Sequence, residues 1–412
     1  MKNKAFWKLF AAQTVSAFGD CFGLFALQWY VFTTTGSLVI MGTLAMTAGI
    51  TELLVRFAGA PLIDRLNRLR FMAQLDFVRF SATGATVVLC ALGTAPLWML
   101  FTMAIINAIA SALFQPASMA VLPSYIPKQS LVRGYSLMDS TQYAAVILGP
   151  ALAGVVISTL GAATAMAIDA FSFAFSAICI LLVPAQTSTR LVSVPSSGMY
   201  YRELWDGLAF FKKAPALLGI MCCVALKNMC SVAVGGMMIP FALQNLHANA
   251  SQIGLLSSAM AAGLCLGSIL VSFVNHLKRR RIPMLGSIFA QGLLYMMLSG
   301  THSFSLAIGF IVMLGACGPF FGTFSSSLYA QLVPDEFRGR VMSARLMVGG
   351  ALQPAGSYMG GALASAYGLP LLFSIAGAIP LFTAVVAYLA PFMKGIDGEL
   401  EPINVEQKGI GA

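Results

Sequence analysis

Seven ionisable side chains lie where a charge is costly. Asp20, Glu52, Arg56, Asp76, Arg79, Asp169 and Lys227 all fall inside long apolar stretches. A charge at the centre of a bilayer costs at least about 2.5–3.5 kcal/mol on insertion scales, so each needs a partner or a function. A carboxyl enclosed by apolar side chains can take up and release a proton, and an enclosed ammonium can hold an anionic group or oppose a carboxylate. Glu52 and Arg56 stand four apart, and Asp76 and Arg79 three apart. Both spacings put the pair on one helix face, where a local ion pair lets both members insert. Asp20 has no charged residue within one turn. Asp20 and Glu52 are therefore the candidate proton carriers, the alternative for Asp20 being a carboxyl hydrogen-bonded for structure. Lys227 is a candidate for holding part of a bound molecule, the alternative being a side chain that snorkels to the interface.

Other chemistry is poorly supplied. No G-x-x-x-x-G-K-[ST] run exists to cradle a nucleotide, and no G-x-S-x-G or H-E-x-x-H occurs. His247, His276 and His302 fall in three separate loops without metal-ligand spacing. The eight Cys form no C-x-x-C pair and read as small apolar packing residues. The expectation is a protein that is not an enzyme and needs no metal or cofactor.

The elements that must position these groups are twelve apolar stretches, at about 7–32, 38–60, 71–92, 97–117, 136–158, 161–183, 217–243, 251–275, 283–300, 304–331, 342–366 and 370–392. Most reach the ~20 residues that cross a hydrocarbon core. Without period-2 alternation, runs this long are helices. The fold class is all-α integral membrane: twelve transmembrane helices in two pseudo-symmetric six-helix bundles.

The basic residues are sorted by loop. Lys2, Lys4 and Lys8 precede or open the first stretch. Alternate gaps hold Arg65, Arg68 and Arg70, then Lys128 and Arg133, then Arg190, Arg202, Lys212 and Lys213, then Lys278 to Arg281, then Arg338, Arg340 and Arg345. The other gaps hold no Lys or Arg. The positive-inside bias then puts both termini and the basic gaps in the cytoplasm. With 58% hydrophobic and 9% charged residues the chain is far from the ~25% charge of soluble domains. The net charge of +10 is spread over inner loops, which suits anionic lipid headgroups and gives no nucleic-acid platform.

The longest hydrophilic stretch, about 184–216, separates six spans from six and contains an amphipathic piece from Arg202 to Lys213, expected as an interfacial helix. The organisation is a bundle at 1–183, a cytoplasmic linker at 184–216, a second bundle at 217–393 and a cytoplasmic tail at 394–412. The halves echo each other: FALQWY (25–30) and FALQNL (241–246) close spans 1 and 7, and ALAGVVISTLG (151–161) parallels YMGGALASAYG (358–368).

After span 2 comes GAPLIDRLNRLRFM (59–72), which resembles motif A of the major facilitator superfamily; Asp64, Arg65 and Arg68 match, while Ala60 and Asn67 stand where Gly is usual. Asn tolerates a left-handed turn better than other non-Gly residues. GPALAG (149–154), with Gly149, Pro150 and Gly154, resembles motif C of proton antiporters, and Ala153 replaces one Gly. QPASMAVLPSYIPKQSL, AIDAFSF (167–173) and QLVPDEFRGRV look like the branch of macrolide and siderophore exporters.

That resemblance covers the whole chain. It implies a monomeric bacterial inner-membrane secondary transporter that exports an amphipathic small molecule by alternating access, in exchange for protons. A lipid flippase or importer of the same fold, or a non-transporting sensor or scaffold, remain the alternatives. The resemblance implies an inner gate at Asp64, and a cavity lined by spans 1, 4, 7 and 10. Asp20, Lys227, Asn107, Gln115, Phe320 and Phe324 then face it. Flexible apolar side chains suit large amphipathic substrates. Aligning the FALQ segments sets Asp20 and Lys227 about 9 residues, or roughly 13 Å, apart in height, which argues against a direct bridge. Gly149, Gly154, Gly356, Gly360 and Gly361 are expected to let helices approach closely.

Overall fold

The computed structural model describes residues 4–63, 67–126, 130–184, 205, 207–211, 214–274 and 279–398, with the side chains of 58–63, 132 and 394 left out. Among them there is no strand. The helices are α1 (Lys4–Thr35), α2 (Leu38–Ile63), α3 (Arg68–Ala91), α4 (Leu97–Val121), α5 (Leu131–Leu160) and α6 (Ala162–Leu181) in the first half. The second half holds α7 (Pro215–Gly236), α8 (Met238–Gln244), α9 (Ala250–Val274), α10 (Arg281–Ser299), α11 (Phe304–Leu332), α12 (Asp335–Ala351), α13 (Gln353–Tyr367) and α14 (Leu369–Leu389). Helices satisfy every internal backbone group within one segment, the condition for crossing lipid.

Among the described residues ten helices are long and apolar enough to cross a membrane, by length and composition. The two remaining spans have identifiable reasons for falling short. The third, α3, carries Arg68, Arg70, Asp76 and Arg79. The eleventh is divided between α12 and α13 at Leu352. Pro354 has no N–H for the Gly350 carbonyl, and its ring crowds that carbonyl. The seventh breaks at Met237, three residues before Pro240, which has no N–H for the Gly236 carbonyl.

The sequence echo is visible in the backbone. Gly161 ends α5 and opens α6 with φ 86° and ψ 164°, and Gly368 ends α13 and opens α14 with φ 87° and ψ 159°. A side chain at either φ would be strained, so one glycine device joins the fifth span to the sixth in each half.

The chain forms two compact units, Met1–Val194 with Ala242–Ser258, and Pro195–Phe241 with Ala259–Ala412. The segment from Ala242 to Ser258 keeps company with the first six spans, where the sequence boundary at 217 puts it with the second bundle. The contact that holds it is glycine on backbone in both directions: Gly154 of α5 lies on the Ala250 carbonyl, and Gly254 of α9 lies on the Pro150 carbonyl. No side chain would fit at either point.

Within the first unit α1 packs against α6 and α5, α3 against α6 and α4, and α2 against α4. One end is closed by an apolar cluster including Phe6, Leu9, Met72, Ala117, Tyr125 and Ile126. The end of α6 is tied there by Lys8 Nζ donating to the Leu182 carbonyl at 2.8 Å and Tyr125 Oη donating to that of Pro184 at 2.9 Å. Within the second unit α10 packs against α14, and α7 against α13 and α14. Phe241 stacks on Phe373 at 4.6 Å between ring centroids.

Residues 205 and 207–211 are helical, inside the stretch expected to lie in the interface. Trp205 is exposed, but Phe210 and Phe211 are fully buried on protein, against Phe337 at 5.9 Å and Tyr329 at 6.0 Å. That pair packs into the second unit, with Gly207 on the Arg340 carbonyl, so the amphipathic pattern of this piece reflects protein packing. The rest of the linker, all but a few residues of it, lies outside the described residues, as does the tail from 399.

Candidate functional site

In the first unit, four helices bring polar residues to one interior point. Arg79 of α3 is 3% exposed and Asp76, one turn before it, 0%. The Arg79 guanidinium lies 3.4 Å from Asp20 Oδ1 on α1 and 4.0 Å from Asp76 Oδ1. Its Nη2 donates to Ser111 Oγ of α4, and its face lies 4.5 Å over the Phe173 ring of α6. Asp76 Oδ2 accepts a hydrogen bond from Ser176 Oγ of α6 at 2.6 Å. Asp20 is the accessible member, with 47% of its side chain exposed against 4% for Arg79.

Asp169 belongs to the same centre. It is 2% exposed, and its carboxyl rests on α1 in the notch left by Gly19 and Gly23. A methyl group at Gly23 would collide with that carboxyl, and one at Gly19 with Ser172. Two glycines four apart make one small-residue face, here occupied by a carboxyl and a serine from α6. Ser172 Oγ donates to the Asp169 carbonyl at 2.7 Å. Asp76 Oδ1, Asp169 Oδ1 and Arg79 Nε have no hydrogen-bond partner.

Two expectations change here. Asp20 lacks a charged neighbour on its own helix, but α3 supplies one, so it is not an isolated acid. Asp76 and Arg79 are a loose pair, because the guanidinium leans toward Asp20 and Ser111 and the carboxylate toward Ser176. Glu52 and Arg56 pair as their spacing suggests, at 2.6 Å, both half-exposed on α2.

In the second unit Lys227 of α7 extends its ammonium toward the Phe321 ring, 5.9 Å from the centroid, and no carboxylate among the described residues pairs with it. Beside it Asn228 Nδ2 donates to the Gly349 carbonyl at 2.9 Å. Gly356 lies on the Met229 carbonyl and Gly360 on Ala233, so α13 approaches α7 as the glycines imply. Gly361 is buried on the same helix. Phe324 is 4% exposed and belongs to the core of this unit, not to an open surface, because its helix turns it inward with Ser325 and Leu328. Phe320 is half-buried.

Of the α4 candidates, Gln115 is exposed, and Asn107 is half-buried with its Oδ1 unpartnered. Gly149 faces Cys21 of α1, whose thiol donates to the Ala145 carbonyl at 3.4 Å. Of the motif A residues, Asp64 and Arg65 lie outside the described residues, and Arg68 opens α3. Asn67 is not in a left-handed turn: with φ −69° and ψ 100° it caps α3, its side chain accepting from Arg70 N–H at 3.3 Å. An exposed Asn before a helix gains more by satisfying a free N–H than by adopting the turn.

Residue spacing missed Arg79 as the partner of Asp20, the serines at 111, 172 and 176, and the guanidinium clamp of Arg345. Arg345 Nη2 donates to Ser325 Oγ at 3.1 Å and the group lies 4.4 Å over Tyr329, whose hydroxyl donates to the Leu217 carbonyl at 3.0 Å. The one available signal was Gly19-Asp20-Cys21-Phe22-Gly23, an acid flanked by glycines at helix-packing spacing.

The comparisons with known proteins agree with this architecture. Macrolide efflux protein A of Streptococcus pyogenes is 21% identical over 396 residues, 95% of this chain and 97% of that protein. The multidrug efflux pump Tap of Mycolicibacterium fortuitum is 22% identical, covering 96% of this chain and 97% of its own length. The nucleoside transporter NupG superposes with a TM-score of 0.78 at 13% identity, covering 95% of this chain and 98% of that one. A bacterial homologue of the iron transporter ferroportin gives 0.75 at 16%, covering 96% and 99%. The model of the family described as transmembrane secretion effector matches residues 1–408. The chain belongs to that family, within the major facilitator transporters.

Proposed function

We propose that this protein is a secondary active exporter of amphipathic small molecules in a bacterial inner membrane, driven by proton entry. The observation that carries the proton reading is the Asp20–Arg79 contact. A half-exposed carboxylate touches a buried guanidinium, so protonating Asp20 removes one of the two carboxylate charges that hold Arg79. Proton arrival is thereby converted into a change of packing at the junction of α1, α3, α4 and α6. Export of drug-like compounds is supported by the names of the macrolide and multidrug efflux relatives. Lys227, a cation without a carboxylate among the described residues, suits an anionic or carbonyl-bearing part of a substrate. Sorting of Lys and Arg supports cytoplasmic termini.

The test is efflux from a transporter-deficient bacterium, with and without a protonophore, followed by transport in vesicles of known orientation. Wild-type protein is expected to lower cellular substrate until the protonophore is added. Asp20→Asn, which fixes the neutral form, is expected to abolish uphill efflux and keep downhill exchange. Uphill efflux by Asp20→Asn at the wild-type rate, or efflux indifferent to the protonophore, overturns the proton-driven reading.

A further inference from the structure

The first unit encloses more acid than its one guanidinium can neutralise. Asp76 and Asp169 each lie within charge–charge range of both Arg79 and Asp20. Among the described residues no other cation pairs with these carboxyls. On α1 the neighbours are Asp20 and the Cys21 thiol, on α3 Asp76 and Arg79, on α4 the neutral Ser111, and α5 offers only the Ala145 carbonyl, to Cys21. With all three carboxyls ionised the centre would carry a net charge of about −2, two of the carboxylates, Asp76 and Asp169, wholly buried, an arrangement a low-dielectric interior opposes strongly.

The duplicated half shows that the fold does not require this charge. There the third and sixth spans are α10 and α14, which approach at Gly292 and Gly377. The interior beside them is closed by Gln291 Nε2 donating to Tyr295 Oη at 3.0 Å, with Ser231 of α7 also bonded to that hydroxyl. Gln291 and Tyr295 are 6% and 1% exposed, and no acid occurs on α10 or α14. A neutral hydrogen-bonded pair therefore closes one repeat where three acids and an arginine occupy the other. Buried ion clusters are seldom more stable than well-packed neutral substitutes, so their presence in one repeat alone points to use.

Asp169 is the member suited to hold a proton at rest. It has no cation in contact, one oxygen has no hydrogen-bond partner, and the apolar Gly19–Gly23 face of α1 covers its carboxyl. We infer that Asp169 is a second proton position of the coupling site, a buried carboxylic acid seated in the Gly19–Gly23 notch and within charge–charge range of Asp20. The step releases one proton from an Asp169 oxygen to water and leaves a carboxylate there, and the reverse step restores the acid. The unit would thereby hold two exchangeable protons. The inference rests on the proton-driven reading for its use, but its test is independent of transport.

The experiment is infrared spectroscopy of the purified full-length protein in lipid near neutral pH, exchanged between H2O and D2O. Wild type is expected to show a deuterium-sensitive protonated-carboxyl band that Asp169→Asn removes and Asp76→Asn retains. Gly23→Ala keeps the acid but unseats it, so the band is expected to shift in frequency; this second variant decides the matter if Asp169→Asn does not fold. No such band in wild type, a band untouched by Asp169→Asn, or one unmoved by Gly23→Ala overturns the assignment. If the band behaves as expected while efflux ignores a protonophore, the proton-driven reading falls and the buried acid stands. If Asp20→Asn uncouples transport but the band is absent, only the Asp169 inference falls.

Discussion

Replacing Arg79 by Met is expected to destabilise the first unit by about 3–5 kcal/mol. The guanidinium is 4% exposed, and its two carboxylates are at 3.4 and 4.0 Å. At an effective dielectric of ~20, unit charges at those distances attract by roughly 4–5 kcal/mol each before desolvation is subtracted. Water screens the half-exposed Asp20, so its share shrinks. Asp76 is fully buried and keeps only the Ser176 hydrogen bond, so most of the penalty is an uncompensated carboxylate there. Met retains the apolar volume over Phe173, so what is lost is the charge and its hydrogen bond to Ser111. A loss of 3–5 kcal/mol corresponds to roughly 10²–10³·⁵ in the folded-to-unfolded ratio. Unfolding in mixed micelles of increasing denaturing detergent would measure it. The partner variant is the control: Asp76→Asn added to Arg79→Met is expected to restore more than half of the loss, because it removes the orphaned charge. If Arg79→Met unfolds within 1 kcal/mol of wild type, or if Asp76→Asn deepens the loss, Arg79 is not the counter-ion of this cluster.

Gly23→Ala is expected to cost about 1–3 kcal/mol by forcing α6 from α1, and Asp169→Ala in the same chain to recover part of it by vacating the space; equal stability of single and double variants would contradict the steric account. Asn67→Ala is expected to lower stability by about 1 kcal/mol while Asn67→Ser does not, measured by the same micelle titration, since only the cap to Arg70 N–H is lost. Single cysteines placed beside His247 and His302 are expected to react with an impermeant thiol reagent from outside the cell, and those at 279–281 only after permeabilisation; outside labelling at 279–281 would reverse the orientation.

The helical class and the approximate positions of the spans were legible in the chain, because each depends on neighbours along one strand of sequence; the breaks at Met237 and Leu352 inside the seventh and eleventh spans were not read. Apolar length sets the spans, and a proline such as Pro354 or Pro240 removes an N–H at a known offset. A glycine such as Gly161 or Gly368 permits a backbone angle that other residues resist. The Glu52–Arg56 pair was legible for the same reason, since four residues are one helical turn. Asp76–Arg79 shows where that logic ends: the spacing allowed a pair, but Ser176 and Asp20 compete for its two members from other helices. Phe324 shows it again, because cavity-lining and core faces of one helix carry the same apolar residue types. The centre formed by Asp20, Asp76, Arg79 and Asp169 was not readable residue by residue. Its members are up to 149 positions apart, and only the side-by-side packing of α1, α3 and α6 brings them together. That packing is decided by shape, since the absence of side chains at Gly19 and Gly23 lets α6 lay a carboxyl against α1. Sequence therefore determined which segments are helical and which charges are costly, while tertiary structure alone decided which charges share a cation, because Coulomb energy depends on distance in space and not along the chain.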